Sequence, residues 1–504
     1  MEGVVSTSSG QGQISPSNNV CEVQQINEEG RMRAVLTRMR SGIPEANRPD
    51  IAFEEEAFIS LYKRFLDKKI GISLDWTDIE RSEESYFKNY EDLVTPKEAD
   101  IVDALSHLVV IKLSGGLGTS MDCCGPKSLI PVKEERTFLD LTLQQLEALN
   151  TNYNLDMPLV LMNSFNTQQE TDAYLKKMPK TSTKIYTFQQ NRFPRLSADT
   201  GLPLAESMQL EPKNYYAWYP PGHGDVYRSF QESGLLDKFH NEGKTWLFIS
   251  NIDNLGASPD PTIVCWLEEQ QFEFVMEVST KTVADRKGGT LVYYKGGLRL
   301  LEVAQVPSEH IADFLNAKKF NIFNTNNLWI NLRALYSHIQ AKTLEMDLIV
   351  NRKTLKDGTR VIQLEEAAGA AIKSFNKSMG LKVPRTRFLP VKMTSDLLLL
   401  RSDLFTLVNG SLVISPRRLS SSLPIVDLDH HFQSVQDLQL RIPFVPSMVN
   451  LSHLTLSGDV RFGPNVVLKG TVKIIAKDNE QLDIPGGSVL ENKVVTESLL
   501  VTNQ

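Results

Sequence analysis

The sequence predicts an α/β domain built on a mostly parallel sheet, followed by a C-terminal parallel β-helix. Two patterns predict it. From about residue 108 to residue 391, short apolar runs alternate with helix-spaced patterns, as in βαβ units whose sheet is covered on both faces. Beyond residue 450, apolar residues instead recur every six positions with glycines between them, a short repeat expected of strands stacked coil on coil. At 504 residues the chain exceeds one small core, so two folded units plus tails are expected.

Taken in order, residues 1–30 are rich in Ser, Gln, Asn and Gly and read as a disordered tail, because they bury too little to offset ordering. Helical spacing begins over residues 51–66, where Phe58, Leu61 and Phe65 recur between charges. Leu108–Leu113 (LVVIKL) is a buried strand. Thr137 caps the next helix, with Asp140 at the capping-box position and Leu139, Leu143 and Leu146 as its stripe. Further strands are expected at residues 158–162, 183–188, 246–249 and 272–278. Ligands of such sheets gather at the carboxyl ends of strands, so the loops just after them carry most weight. Near the C-terminus, a first hexad series runs Leu454, Val460, Val466, Val472 and a second runs Leu456, Phe462, Leu468, Ile474, with Gly458, Gly463 and Gly470 between. The expected division is a tail (1–45), a main domain (46–385) and a C-terminal domain (386–504).

Charge and cysteine usage exclude several functions. With 54 basic and 61 acidic residues, the net charge of −7 argues against a nucleic-acid-binding surface. Cys21, Cys123, Cys124 and Cys265 match neither a zinc spacing nor a disulfide framework, so reduced thiols in a cytosolic protein are expected. No apolar run approaches the roughly 18 to 20 residues needed to cross a bilayer. The N-terminus lacks the pattern of a secretory signal.

The strongest local signal is KLSGGLGTSMDCCGPKS, directly after the first long strand. Gly115, Gly116 and Gly118 allow the backbone to approach phosphates and aim amides at them. The spacing is neither GxGxxG nor the Walker pattern, which removes dinucleotide-binding and P-loop readings. Ending in Pro126-Lys127-Ser128, the loop resembles the nucleotidyltransferase signature in the form found in eukaryotic UDP-glucose pyrophosphorylases. Other blocks resemble that family in the same order: NSFNT (163–167), QQNRFPR (189–195), WYPPGHGD (218–225), SNIDNLG (250–256), KGGTL (287–291), FNTNNLW (323–329) and PRTRFLPVKMTSDLLLL (384–400).

The resemblance implies a Rossmann-like, glycosyltransferase-A-like nucleotidyltransferase domain with a left-handed C-terminal β-helix, and a cytoplasmic enzyme. It also implies the reaction: an oxygen of glucose 1-phosphate attacks the α-phosphorus of UTP, yielding UDP-glucose and pyrophosphate. By the same resemblance Lys127 and Lys392 are the catalytic lysines, and a mobile ammonium suits charge that moves during reaction. Asp253 holds Mg²⁺ with substrate phosphates. Gln190 and the Gly222 backbone read uracil, while Leu113, Ser114, Gly115 and Gly116 close over base and ribose. His223 contacts the sugar phosphate. Asn251, Ile252, Asp253 and Asn326 face the nucleotide sugar, and Gly288, Gly289 and Glu302 line the glucose pocket. Animal and fungal members are typically octamers joined through the β-helix, so a homo-oligomer is expected.

Three loop positions depart from the family's pattern: Ser114 stands for Asn, Cys124 for Lys and Asp122 for Gly. Asp122 adds a negative charge near an anionic substrate, and strain if its φ is positive. Two readings follow. One is the active uridylyltransferase. The other is a catalytically weakened relative that binds UTP or UDP-glucose, or co-assembles with an active copy.

Overall fold

The computed structural model describes residues 16–43, 48–69, 75–81, 84–123, 125–281, 288–316, 319–420 and 422–496. Eight strands build the main sheet: β1 (Phe87–Asn89), β2 (Leu108–Leu113), β3 (Leu159–Asn163), β4 (Ile185–Gln189), β5 (Trp246–Asn251), β6 (Phe274–Thr280), β7 (Ile322–Asn331) and β8 (Ser378–Lys382). Their spatial order is β1-β8-β6-β7-β5-β2-β3-β4. β5, β2, β3 and β4 run parallel, as do β6, β8 and β1, while β7 runs antiparallel to both β5 and β6. The sheet is therefore mixed, with one reversed strand at its centre.

β2, β3 and β5 are apolar runs with almost every residue buried, as strands covered on both faces must be. β7 is not recognisable from sequence, for a physical reason. Its middle is Asn324-Thr325-Asn326-Asn327, which reads as a turn, yet all four are buried and, Asn326 Oδ1 apart, hydrogen bonds within the fold engage their side chains. The expected helix cap is present. Asp140 N donates to Thr137 Oγ1 (3.1 Å) and Thr137 N donates back to the Asp140 carboxylate (2.8 Å), starting the helix Phe138–Tyr153.

The C-terminal region contains β9 (Ile425–Leu428), β10 (Ser447–Ser457), β11 (Asp459–Phe462), β12 (Val467–Ile475), β13 (Gln481–Ile484), β14 (Val489–Glu491) and β15 (Val494–Val495). Every pairing among them is parallel. Leu454 pairs with Val472 and Leu456 with Ile474, so three of the six-residue steps return the chain to the same side. All eight residues of the two hexad series are buried.

The chain divides differently from the expected tail, main domain and C-terminal domain. The smaller unit holds the described residues up to Trp76 together with Arg192–Pro221 and Leu348–Glu366; the larger holds all remaining described segments, the C-terminal strands included. The reason lies in the core. Leu397, Leu398 and Leu400 of the helix Thr394–Arg401 belong to one apolar cluster that runs from beneath the main sheet to Val495. In the smaller unit, residues 16–40 form a helix, α1 (Pro16–Arg40), in place of the disordered tail expected from composition. Met32, Leu36 and Met39 recur at helical spacing and are buried, and α1 packs on α2 (Arg48–Lys69) with Arg40 paired to Glu55 at 3.0 Å. Residues 1–15 lie outside the described residues. Among the described residues no helix is long and apolar enough to cross a membrane.

Candidate active site

β2, β3, β4 and β5 are parallel neighbours, so the segments that follow them emerge at one edge of the sheet. β2 is centrally placed there. Leu113 pairs with Asn251 on one side and Met162 on the other, and Ser114 N donates to Met162 O at 2.8 Å. One residue inside β2, the Lys112 ammonium is buried against Ser250 Oγ (2.8 Å) and Ala257 O (2.5 Å), and burial pulls it down to about 7.

The glycine-rich loop then folds back on itself. Lys127 N donates to Gly116 O at 3.1 Å, and Leu117 bridges Pro126. Ser164 Oγ donates to Gly115 O at 2.7 Å. A Cβ on Gly115 would lie 2.1 Å from Gln190 Nε2, so this glycine is what lets the Gln190 side chain reach the loop. Gly118 closes the turn: its carbonyl accepts from Met121 N and Cys123 N. Between them Asp122 is exposed with φ 50° and ψ 35°, the left-handed conformation in which strain is expected. Cys124 lies outside the described residues.

Of the three charged residues singled out from the sequence, two are in contact and the third lies on a turn bonded to the same loop. The Lys127 ammonium is in direct ion-pair contact with the Asp253 carboxylate, which stands just after β5. Lys392 enters from the turn before the helix Thr394–Arg401, with its ammonium 5.4 Å from the centre of the Phe323 ring. Two contacts shape that turn. Ser120 Oγ donates to Lys392 O at 2.7 Å, and the Asp396 carboxylate accepts from Lys392 N (2.8 Å) and Met393 N (2.9 Å). Burial raises the Asp396 carboxyl, opposed by these hydrogen bonds and by the Lys127 and Lys392 charges.

The remaining predicted residues line the same region. Asn326 Nδ2 donates to Asn251 Oδ1 at 2.9 Å, and Asn326 adopts φ 59°. Ile252 is buried, its N–H donating to Leu113 O. Phe323 packs so closely on Gly288 that a Cβ there would lie 1.8 Å from the ring, and Glu302 holds the same relation to Gly289 at 2.5 Å. Burial pushes the Glu302 carboxyl up to about 7, with the Lys392 charge opposing. Gly222 has φ 87°, which only glycine adopts freely, and introduces the turn carrying His223. Ala368 N donates to His223 Nδ1 at 3.0 Å, so a neutral ring bears its proton on Nε2; burial pulls this imidazole down to about 4 and keeps it neutral near pH 7.

Four buried side-chain oxygens of the described residues here lack a protein partner: Ser114 Oγ, Ser128 Oγ, Gln190 Oε1 and Asn326 Oδ1. Such atoms are costly to bury and mark where a polar ligand fits. Sequence reasoning missed Ser120, Ser164, Phe323 and Asp396. Asp396 was findable as an acidic residue in a first helical turn; the other three act through contacts distant in sequence.

Known proteins resemble this chain over most of its length. A family model described as UTP–glucose-1-phosphate uridylyltransferase matches residues 55–469. The chain is 48% identical over 440 residues to UTP–glucose-1-phosphate uridylyltransferase 2 of Dictyostelium discoideum, covering 87% of each protein. It is 46% identical over 477 residues to UTP–glucose-1-phosphate uridylyltransferase of Saccharomyces cerevisiae, covering 94% of each. Among solved structures it resembles a UDP-glucose pyrophosphorylase variant of Leishmania major in complex with UDP-glucose (TM-score 0.79, 31% identity, 96% of this chain and 100% of that one). It also resembles a UDP-glucose phosphorylase of Trypanosoma brucei (TM-score 0.78, 36% identity, 94% and 99%).

Proposed function

Because the chain belongs to the UTP–glucose-1-phosphate uridylyltransferase family, we propose that the site at the carboxyl edge of its sheet makes UDP-glucose and pyrophosphate from UTP and glucose 1-phosphate. The observation that carries this reading is the Lys127–Asp253 pair beside a glycine-rich loop that is itself hydrogen-bonded to the turn carrying Lys392. In the reaction an oxygen of glucose 1-phosphate bonds to the α-phosphorus while the bond to the bridging oxygen breaks, and the electron pair leaves on pyrophosphate. Phosphoryl chemistry of this kind needs in-line positioning and positive charge more than covalent help.

In the free protein the Lys127–Asp253 pair leaves neither charge uncompensated in a half-buried place. With UTP bound, Lys127 turns its donors to the triphosphate from the loop side, and Lys392 neutralises it from the opposite segment. The Asp253 carboxylate, just after β5, would hold Mg²⁺, a cation that binds through few carboxylates. A cation held there would supply charge neutralisation at the phosphates. Gln190 and the Gly222 backbone read the uracil edge, and Leu113 to Gly116 cover base and ribose. His223, neutral with Nε2–H free to donate, binds the sugar phosphate without adding charge that would need compensation. Asn251 and Asn326 take sugar hydroxyls, and Gly288, Gly289 and Glu302 bound the glucose.

The weakened-relative reading requires Asp122 to crowd the phosphates. That residue is exposed, where water screens its charge. Pyrophosphate release from UTP, glucose 1-phosphate and Mg²⁺ by purified protein tests the function. Turnover that vanishes in Lys127→Ala and Lys392→Ala is expected, and no turnover in the parent protein would overturn it.

The parallel coils of the C-terminal region are read as the left-handed β-helix of the family. Val489 and Val494, on its last described strands, are exposed apolar residues that suit end-to-end association of copies. A homo-oligomer is expected by light scattering, and a monomer at micromolar concentration would refute it. Cys265, a thiol outside any disulfide, suits a reducing compartment such as the cytosol.

A further inference from the structure

Asp253 and Lys392 lie on segments far apart in the sequence, and the reaction needs both at fixed places around the same phosphates. What holds the two segments together is the side chain next to Asp253. Asn254 is 1% exposed. Its Nδ2 donates to Asn327 Oδ1 and to Arg387 O, both at 3.2 Å. Its Oδ1 accepts from Leu389 N at 2.8 Å and from Gly256 N at 3.2 Å. Two donors and two lone pairs are the whole capacity of a carboxamide, and all are used. The Asn254 backbone also bridges Pro390, two residues before Lys392. Two residues further along its own loop, Gly256 packs so tightly on the strap formed by residues 386–390 that a Cβ would lie 2.4 Å from Thr386 O.

The strap is anchored in turn. Arg387 Nε and Nη2 donate to the two oxygens of Glu277 at 2.9 and 2.6 Å, and Glu277, with no exposed surface, also accepts from Asn327 Nδ2 and Trp329 Nε1, each at 2.9 Å. Asn254 therefore ties the Asp253 loop to a strap that is itself fixed in the sheet.

We propose that Asn254 is a positioning residue: its carboxamide sets the Asp253 carboxylate relative to Lys392, and so sets turnover without touching substrate. This rests on the uridylyltransferase reading. A displacement of about 1 Å in such an arrangement can cost on the order of 100-fold in rate while leaving ground-state binding largely intact.

The test measures steady-state kinetics, UDP-glucose affinity by calorimetry without added metal, and thermal stability for Asn254→Ala, Asn254→Asp and Asn150→Ala. Asn150 is the matched control: its carboxamide makes comparable buried bonds with Met157 and Thr183, away from the groups assigned to substrate. Expected for Asn254→Ala are a kcat lower by about 10- to 100-fold, KM for UTP and affinity for UDP-glucose within about threefold, and a raised Mg²⁺ requirement. Asn254→Asp, which keeps both acceptor bonds and loses both donors, is expected to fall between; it carries the comparison if the alanine variant does not fold. A kcat within threefold of the parent, or an equal loss in Asn150→Ala at the same drop in melting temperature, would overturn the proposal. Absence of turnover in the parent would instead overturn the uridylyltransferase reading.

Discussion

The Ser120 hydroxyl donates a hydrogen bond to the main-chain carbonyl of Lys392 at 2.7 Å, joining the glycine-rich loop to the turn that carries the second lysine. On the proposed function, substrate phosphates entering the loop would meet a lysine whose backbone is already fixed to it. Ser120→Ala removes one hydrogen bond, worth about 1 kcal/mol. The expected outcome is a three- to tenfold lower kcat with little change in melting temperature, since Ser120 is exposed. An unchanged kcat would show that Asp396 alone holds the turn.

Asp122 is a second target. Replacing it by glycine relieves the left-handed conformation, a gain of about 0.5 kcal/mol once the greater freedom of glycine in the unfolded chain is subtracted. A charge met through water at about 8 Å is worth about 0.5 kcal/mol, so KM for UTP is expected to fall two- to threefold. A tenfold rise in kcat would mean that the carboxylate reaches the reacting phosphates.

Gly115→Ala tests the close approach of loop and Gln190. The added Cβ collides with Gln190 Nε2, a flexible side chain but one assigned to uracil. KM for UTP is expected to rise at least about tenfold, with the fold intact by circular dichroism, because the group that must move is the one proposed to read the base. A KM within twofold would remove Gln190 from that role.

His223 makes stability depend on pH. Its folded value, about 4, lies below the usual value near 6.5 of an unfolded chain. Between these limits the unfolded state binds more protons, so stability rises with pH through this window and falls on acidification. The full effect is bounded at about 3 kcal/mol, reached only below pH 4. Melting temperatures of the parent and His223→Gln are expected to converge in slope above pH 7 and to diverge below pH 6, with the parent falling more steeply. Parallel curves would show a protonated ring in the fold.

Truncating the C-terminal coil tests its packing. Leu468 has no exposed surface, and Leu468→Ala is expected to cost about 2 to 5 kcal/mol of stability. Denaturant unfolding checks this.

How much of this is legible in the sequence depends on how local the signal is. β2, the capping box of Thr137 and Asp140, and the hexad series are patterns of neighbouring side chains, and each is readable. The glycine-rich loop is readable too, because phosphates impose a local backbone requirement. β7 is not, since Asn326 and Asn327 find their partners Asn251 and Glu277 only after β5 and β6 are in place. Nor is the role of Asn254, whose partners Asn327, Arg387 and Leu389 lie far along the chain. α1 reads as a tail because few of its side chains are apolar, though Met32, Leu36 and Met39 sit where α2 needs them.

The smaller unit is assembled from three stretches of chain, the last of which ends at Glu366. At a synthesis rate of roughly 5 to 20 residues per second, its helices leave the ribosome tens of seconds before the strand Arg360–Glu366 exists. During that interval Phe58, Leu61 and Phe65 have no final place to go, and Arg64 waits for Glu366, its partner at 2.5 Å. Until residue 366 has been made, the newborn chain therefore carries these apolar side chains and Arg64 without the partners they have in the finished unit.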